Sequence, residues 1–93
     1  MTVRASDGRS HGPLVLLTAA DCHLCAHARS VLAAMGDEQA LEWREVPSDS
    51  EEGRRLSLAA PPFRPVLFDA DGRIRAYGRL SEKRLRRALA SAP

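Results

Sequence analysis

Cys22 and Cys25 stand three positions apart and are the side chains best suited to reactive chemistry in this chain. On a helix, residues at this spacing have Cβ atoms roughly 5–6 Å apart. A disulfide needs Cα atoms separated by roughly 4.4–6.8 Å, so the two sulfur atoms can bond. The pair therefore predicts reversible disulfide chemistry or thiolate binding of a metal ion.

The place of the cysteines at the start of a predicted helix assigns a role to each. The first backbone N–H groups of a helix lack intrahelical partners and the helix dipole is positive there, which stabilises a thiolate. We expect Cys22 to be the acidic, attacking thiol. Cys25 lies one turn deeper, beside the predicted apolar stripe, and is expected to resolve the mixed disulfide that Cys22 forms with a substrate.

The charged neighbours of Cys22 act in opposite directions. The carboxylate of Asp21 disfavours a thiolate beside it, whereas a protonated His23 favours one. We place His23 among the substrate-binding residues. The alternative for His23 is an exposed polar side chain in the first turn of the helix.

A strand before the cysteines and a helix after them must hold the pair in place. Leu14–Thr18 is a continuous apolar run, typical of a strand buried on both faces of a parallel or mixed sheet. Residues 19–21 make the turn, with Asp21 as the predicted N-cap. From Cys22 onward apolar residues recur at helical spacing, and Gly36 predicts the end of the helix. The predicted apolar stripe consists of Leu24, Ala28, Val31, Leu32 and Met35.

The rest of the chain completes a small α/β pattern. The length of the first helix favours a right-handed crossover to a second strand parallel to the first. Asp71-Gly72 favours a hairpin between two antiparallel strands. The predicted elements are a strand at 41–46 ended by Pro47, a short helix at 48–59, strands at 66–69 and 73–77, and a helix capped by Ser81 that buries Leu85, Ala88 and Leu89.

Length and charge narrow the class of protein. Ninety-three residues fit one compact domain, which we divide into a flexible leader at 1–13 and a folded part at 14–93. Basic and acidic side chains are interspersed and leave a net charge of +2, so no nucleic acid or membrane partner is expected. No export signal or spanning segment is visible, so we expect a cytoplasmic location. In a reducing cytosol this cysteine pair favours redox or metal chemistry over a structural disulfide.

The element order, the Cys-x-x-Cys at the first helix and the proline just before the third strand together resemble the thioredoxin fold in its glutaredoxin-sized form. The resemblance covers roughly residues 14–89. Cys22-His23-Leu24-Cys25 is similar to the motif of small glutaredoxin-like proteins that carry Cys-His-Leu-Cys. The resemblance implies a β-α-β-α-β-β-α domain with a four-stranded mixed sheet and helices on both faces. It also implies thiol-disulfide exchange.

The same resemblance implies that the Arg64-Pro65 bond is cis, lies against the disulfide and presents the preceding backbone to an extended substrate. Arg64 and Pro65 are therefore expected to bind substrate, with the Arg64 side chain either pairing with a substrate carboxylate or pointing to water. The chain departs from glutaredoxins at the positions that hold glutathione, which are occupied here by residues 19–21 and 78–82. These departures disfavour a bound glutathione. Glutathione is kept as a possible reductant, and no bound cofactor is expected.

Three functions stay open at this point. The first is thiol-disulfide exchange with a disulfide-containing protein or a small-molecule disulfide, by a monomer. The second is a non-catalytic binding module of the same fold, in which the cysteines are unreactive. The third is an iron-sulfur or metal carrier. A single zinc site is disfavoured, because His23 and His27 lie about 150° round the helix from the cysteines and the four ligands cannot converge.

Overall fold

The computed structural model describes residues 13–39 and 41–90, which form four strands and three helices in the predicted order. The expected leader falls almost entirely on residues 1–12, outside the described residues. None of the helices in the described ranges is long and apolar enough to cross a membrane. The elements are β1 (Leu14–Thr18), α1 (His23–Gln39), β2 (Trp43–Pro47), α2 (Glu51–Ser57), β3 (Val66–Phe68), β4 (Ile74–Tyr77) and α3 (Glu82–Ala90).

The strands form one mixed sheet in the order β2-β1-β3-β4. β2 runs parallel to β1 and pairs Pro47 with Thr18, as the β-α-β pattern predicts. β3 is antiparallel to β1, with Val66 opposite Leu17, and β4 is antiparallel to β3, with Tyr77 opposite Val66. The end of β1, the end of β2, the start of β3 and the end of β4 therefore share one edge of the sheet. This is also the edge at which α1 begins.

Helices cover both faces of the sheet, as predicted. Every residue of β1 is buried, and alternate residues contribute to opposite faces because successive side chains of a strand point in opposite directions. Leu14 and Leu16 pack with α1 and α3, and Val15 and Leu17 face α2. The first core contains Leu14, Leu16, Ala28, Leu32, Met35, Leu67, Ala76, Leu80 and Leu85, and the second contains Val15, Leu17, Val46, Val66 and Phe68.

Helix α1 continues past Gly36 to Gln39, so the prediction that Gly36 ends the helix is wrong. The reason lies in packing. A Cβ at Gly36 would lie 3.1 Å from the carbonyl oxygen of Leu41 and 3.6 Å from Nε1 of Trp43. The glycine therefore allows the chain before β2 to pass close to the helix backbone, and the N–H of Leu41 donates to the Gly36 carbonyl at 3.2 Å.

Helix α2 spans Glu51–Ser57 and is shorter than the predicted 48–59, because the chain forms a turn at 48–50 after β2 and leaves the helix after Ser57. The N–H of Ser48 donates to the carbonyl of Thr18 at 2.7 Å, which extends the pairing of β1 with β2 by one bond. The helix begins after Ser50, whose Oγ accepts the N–H of Gly53 at 3.0 Å and acts as the N-cap. The predicted cap of α3 is confirmed, since Ser81 Oγ accepts the N–H of Arg84 at 3.2 Å.

Asp69 organises the hairpin turn instead of extending β3, which ends at Phe68. Its buried Oδ1 accepts the N–H groups of Asp71 and Arg73 at 2.9 and 3.0 Å. Burial opposes ionisation, but these two hydrogen bonds and the Arg75 guanidinium outweigh it, so the pKa of Asp69 lies below its ordinary value. Gly72 takes φ +85°, as the Asp-Gly pattern predicts for the turn.

Candidate functional site

Cys22 is the N-cap of α1, so the assignment of this role to Asp21 is wrong. The Cys22 carbonyl accepts the N–H of Ala26 at 3.1 Å, which is the first hydrogen bond of the helix. Its Sγ accepts the N–H of Cys25 at 3.1 Å, in the place where a serine cap would offer its hydroxyl oxygen. Asp21 lies one residue earlier with φ +53°, a left-handed conformation in which aspartate is enriched.

The two sulfur atoms are within disulfide-bonding distance, and the Cα atoms of Cys22 and Cys25 lie 5.2 Å apart. Cys25 has no exposed surface, whereas Cys22 is partly exposed. One cysteine is therefore partly open to solvent, while the other is buried beneath the first turn of α1. This asymmetry is what separate attacking and resolving thiols require.

The surroundings of Cys22 favour a negative charge on its sulfur. A backbone N–H already points at Sγ, and the 17-residue helix α1 carries no acidic side chain in its first turn. Asp21 is exposed, so water and salt screen its opposing charge. His23 is also exposed, and its expected contact with substrate stays a prediction.

A groove of about 770 Å³ opens beside Cys22, between the start of α1 and the ends of β1 and β2. On its wall, the side chains of Thr18 and Arg29 both donate hydrogen bonds to Glu45. The buried Thr18 hydroxyl donates to Oε2 of Glu45 at 2.7 Å, and Arg29 donates to the same oxygen at 2.8 Å. This cluster ties β1, β2 and α1 together directly next to the cysteines.

Sequence reasoning did not identify the cluster of Thr18, Glu45 and Arg29. The three residues stand at positions 18, 29 and 45, so no local spacing connects them. The available signal was that polar side chains near the carboxyl ends of adjacent parallel strands meet at one sheet edge. The pairing of Leu16 with Glu45 makes that meeting possible.

The Arg64-Pro65 peptide bond is cis, as the resemblance implied. Pro65 is buried, and its carbonyl accepts the N–H of Gly78 at 2.9 Å. Because Val66 pairs with Leu17, Pro65 lies at the sheet edge where α1 begins. Two exposed aromatic rings lie at the same edge, with Phe63 stacked on Tyr77 at a centroid distance of 5.6 Å.

The Arg64 side chain is held by acceptors within the chain. Its Nε donates to Ser48 Oγ at 2.7 Å and its Nη2 donates to Ser57 Oγ at 2.8 Å. Its Nη1 donates to the carbonyls of Pro61 and Phe63 at 3.0 and 2.8 Å. This is neither of the two arrangements expected from the sequence, which were a substrate carboxylate and water. A contact between Arg64 and substrate stays a prediction.

Among the described residues, no group of three or more His, Cys, Asp or Glu side chains is placed to hold a metal ion. His23 and His27 are exposed on α1, while Cys25 is buried beneath it. His11 lies outside the described residues.

No protein-family model matches the chain, and no curated protein is significantly similar to it in sequence. The site is therefore interpreted from its own geometry: a cysteine pair at disulfide distance, at the start of a helix in a small α/β domain with a four-stranded mixed sheet.

Proposed function

We propose that the protein is a cytoplasmic thiol-disulfide oxidoreductase with a thioredoxin-like, glutaredoxin-sized fold. The observation that carries this proposal is the position of Cys22 at the start of α1, beside the buried Cys25. Cys22 is partly exposed, and its Sγ caps α1, accepts the Cys25 N–H at 3.1 Å and lies within bonding distance of the sulfur of the buried Cys25. The strand order β2-β1-β3-β4 and the cis proline at the same edge support the fold assignment.

Attack begins from the reduced pair. The Cys22 thiolate, stabilised by the helix start, attacks one sulfur of a substrate disulfide. A bond forms between Cys22 Sγ and that sulfur, and the substrate disulfide breaks. The other substrate sulfur leaves with the electron pair and takes a proton from water. The product is a mixed disulfide between Cys22 and the substrate.

Resolution uses Cys25, which lies one turn deeper. Its sulfur attacks Cys22 Sγ, the mixed disulfide breaks, and the second substrate thiolate leaves and takes up the proton that Cys25 loses. The substrate has then gained two electrons and two protons, and the protein holds the Cys22–Cys25 disulfide. Two thiols of a cellular reductant, either a protein dithiol or glutathione, restore the reduced pair by the same exchange in reverse.

The substrate in this proposal is a disulfide-containing protein or a small-molecule disulfide. The groove beside Cys22 offers room for the chain that flanks the disulfide. Pro65 lies at the same edge of the sheet, next to the end of β1. Because Cys25 is buried, its thiol attacks Cys22 Sγ in the mixed disulfide and does not attack the substrate directly. Attack by Cys22 therefore comes before resolution by Cys25.

A redox titration of the wild-type protein against a glutathione buffer, read by alkylation mass shifts, tests the proposal. We expect a two-electron transition of the Cys22–Cys25 pair and turnover of hydroxyethyl disulfide or insulin. Cys22→Ser should abolish that turnover, whereas Cys25→Ser, the matched control, should still react once and accumulate the mixed disulfide. Wild-type protein whose Cys22 is unreactive below pH 8, or turnover that survives Cys22→Ser, would contradict the proposal and favour a binding module.

A further inference from the structure

The acceptors of the Arg64 guanidinium lie before α2, at its last residue and in the loop that follows it. Ser48 follows β2 and lines the groove beside Cys22. Ser57 is the last residue of α2. The carbonyls of Pro61 and Phe63 belong to the loop that leads into Pro65. One planar side chain therefore joins the wall of the groove to the loop before the proline.

Ser48, the first of these acceptors, is itself fixed to the sheet. Its N–H donates to the carbonyl of Thr18 at 2.7 Å, and Thr18 is the last residue of β1. A continuous series of hydrogen bonds thus runs from the end of β1 through Ser48 and Arg64 to the backbone of Phe63. This series spans the sheet edge at which α1 and the cysteines begin.

The hydrogen bonds that the Arg64 guanidinium makes within the chain argue against its binding substrate directly. A guanidinium has five N–H donors on three nitrogens, and all three nitrogens of Arg64 donate to acceptors in the chain, in four hydrogen bonds. A substrate carboxylate would have to displace several of these hydrogen bonds. Lysine could not replace the arginine, because one ammonium group cannot present donors in the same planar fork.

We propose that Arg64 is a positioning residue for the disulfide exchange proposed above, on which this inference rests. Its guanidinium holds the 61–65 loop at a fixed separation from the groove wall at Ser48. The groove wall at Ser48 and the loop before Pro65 are then preorganised for an extended, disulfide-containing segment. Preorganisation lowers the cost of ordering the site when such a segment binds. A small disulfide, which touches only the sulfur of Cys22, does not use this arrangement.

Two variants and a matched control test the inference. Arg64→Met keeps the length of the side chain and removes every donor, and Arg64→Lys keeps the charge. Arg55→Met is the control, because Arg55 is exposed on α2 and pairs with Glu51, at 3.7 Å, one helical turn away. Each protein reduces two substrates: hydroxyethyl disulfide, and a disulfide-bonded peptide with an amidated C-terminus and no acidic residue. This peptide carries no carboxylate that Arg64 could bind.

We expect both Arg64 variants to raise KM for the peptide about tenfold. This is the change in affinity that corresponds to losing the net contribution of one or two hydrogen bonds that hold the site in place. Their kcat for the peptide and their rates with hydroxyethyl disulfide should equal those of the wild type, as should all rates of Arg55→Met. An unchanged KM, a wild-type KM in Arg64→Lys, or equal slowing with both substrates would overturn the inference.

Further measurements distinguish a failure of this inference from misfolding of a variant and from failure of the proposed disulfide exchange. Far-UV circular dichroism establishes that each variant is folded. If Arg64→Met does not fold, the double variant Ser48→Ala with Ser57→Ala removes two of the acceptors and should show the same rise in KM. A wild-type protein that reduces neither substrate would remove the proposed function, and this inference with it. A wild type that reduces both, with an unchanged KM in the variants, removes this inference alone.

Discussion

Gly53→Ala is expected to destabilise the protein, although alanine is the better helix former. Helix propensity alone favours the alanine by about 1 kcal/mol. Packing opposes it, because a Cβ on Gly53 would lie 1.9 Å from the carbonyl oxygen of Pro47 and 2.8 Å from the Cα of Ser48. Both neighbours are backbone of the chain that leaves β2, so neither can rotate away.

The magnitude follows from the movement that the extra methyl group demands. Carbon and oxygen atoms in contact are ordinarily at least about 3.3 Å apart. Helix α2 must therefore move away from the end of β2 by roughly 1 Å. The withdrawal loosens Leu56, which packs with the core beneath α2. Overpacking of this kind costs about 3 kcal/mol, and the gain in propensity reduces the net loss of unfolding free energy to about 2 kcal/mol. For a domain of this size that loss lowers Tm by about 10 °C.

Urea denaturation followed by circular dichroism measures this loss directly. Gly36→Ala is the matched control, because it also places alanine at a helical glycine, but its nearest contact would be 3.1 Å instead of 1.9 Å. We expect the control to change the unfolding free energy by less than about 1 kcal/mol. A Gly53→Ala protein as stable as the wild type, or more stable, would refute the packing argument for α2.

Two further predictions concern the hairpin and the core. The pKa of Asp69 is lowered in the folded state, so its contribution to stability is complete above the unfolded value of about 3.9 and is lost as pH falls through the lower folded value. Urea denaturation from pH 7 to pH 2 should therefore show a steeper fall in unfolding free energy for the wild type than for Asp69→Asn, and equal slopes would contradict this. Leu85→Ala removes a fully buried side chain of α3 from the core with α1 and should cost about 3 kcal/mol. A loss below about 1 kcal/mol in the same assay would mean that the core closes around the cavity.

Local patterns in the amino-acid order were enough to predict the order and type of the elements. The apolar run at Leu14–Thr18, the helical spacing after Cys22 and the Asp71-Gly72 turn each depend on residues that are close along the chain. The cysteine spacing belongs to the same class, because a helix places residues three apart near each other whatever the rest of the chain does. Such signals predict the sheet and the bonding distance of the sulfur atoms.

Contacts between residues far apart in the chain decided other parts of the site. The chain at Leu41 and Trp43 passes close to Gly36 within α1, and Ser48, 16 positions away from Arg64, accepts a hydrogen bond from its guanidinium. The meeting of Thr18 with Glu45 likewise requires the register of β1 and β2. These contacts depend on how the strands pair and where the helices pack, and a pattern of neighbouring residues carries no measure of either.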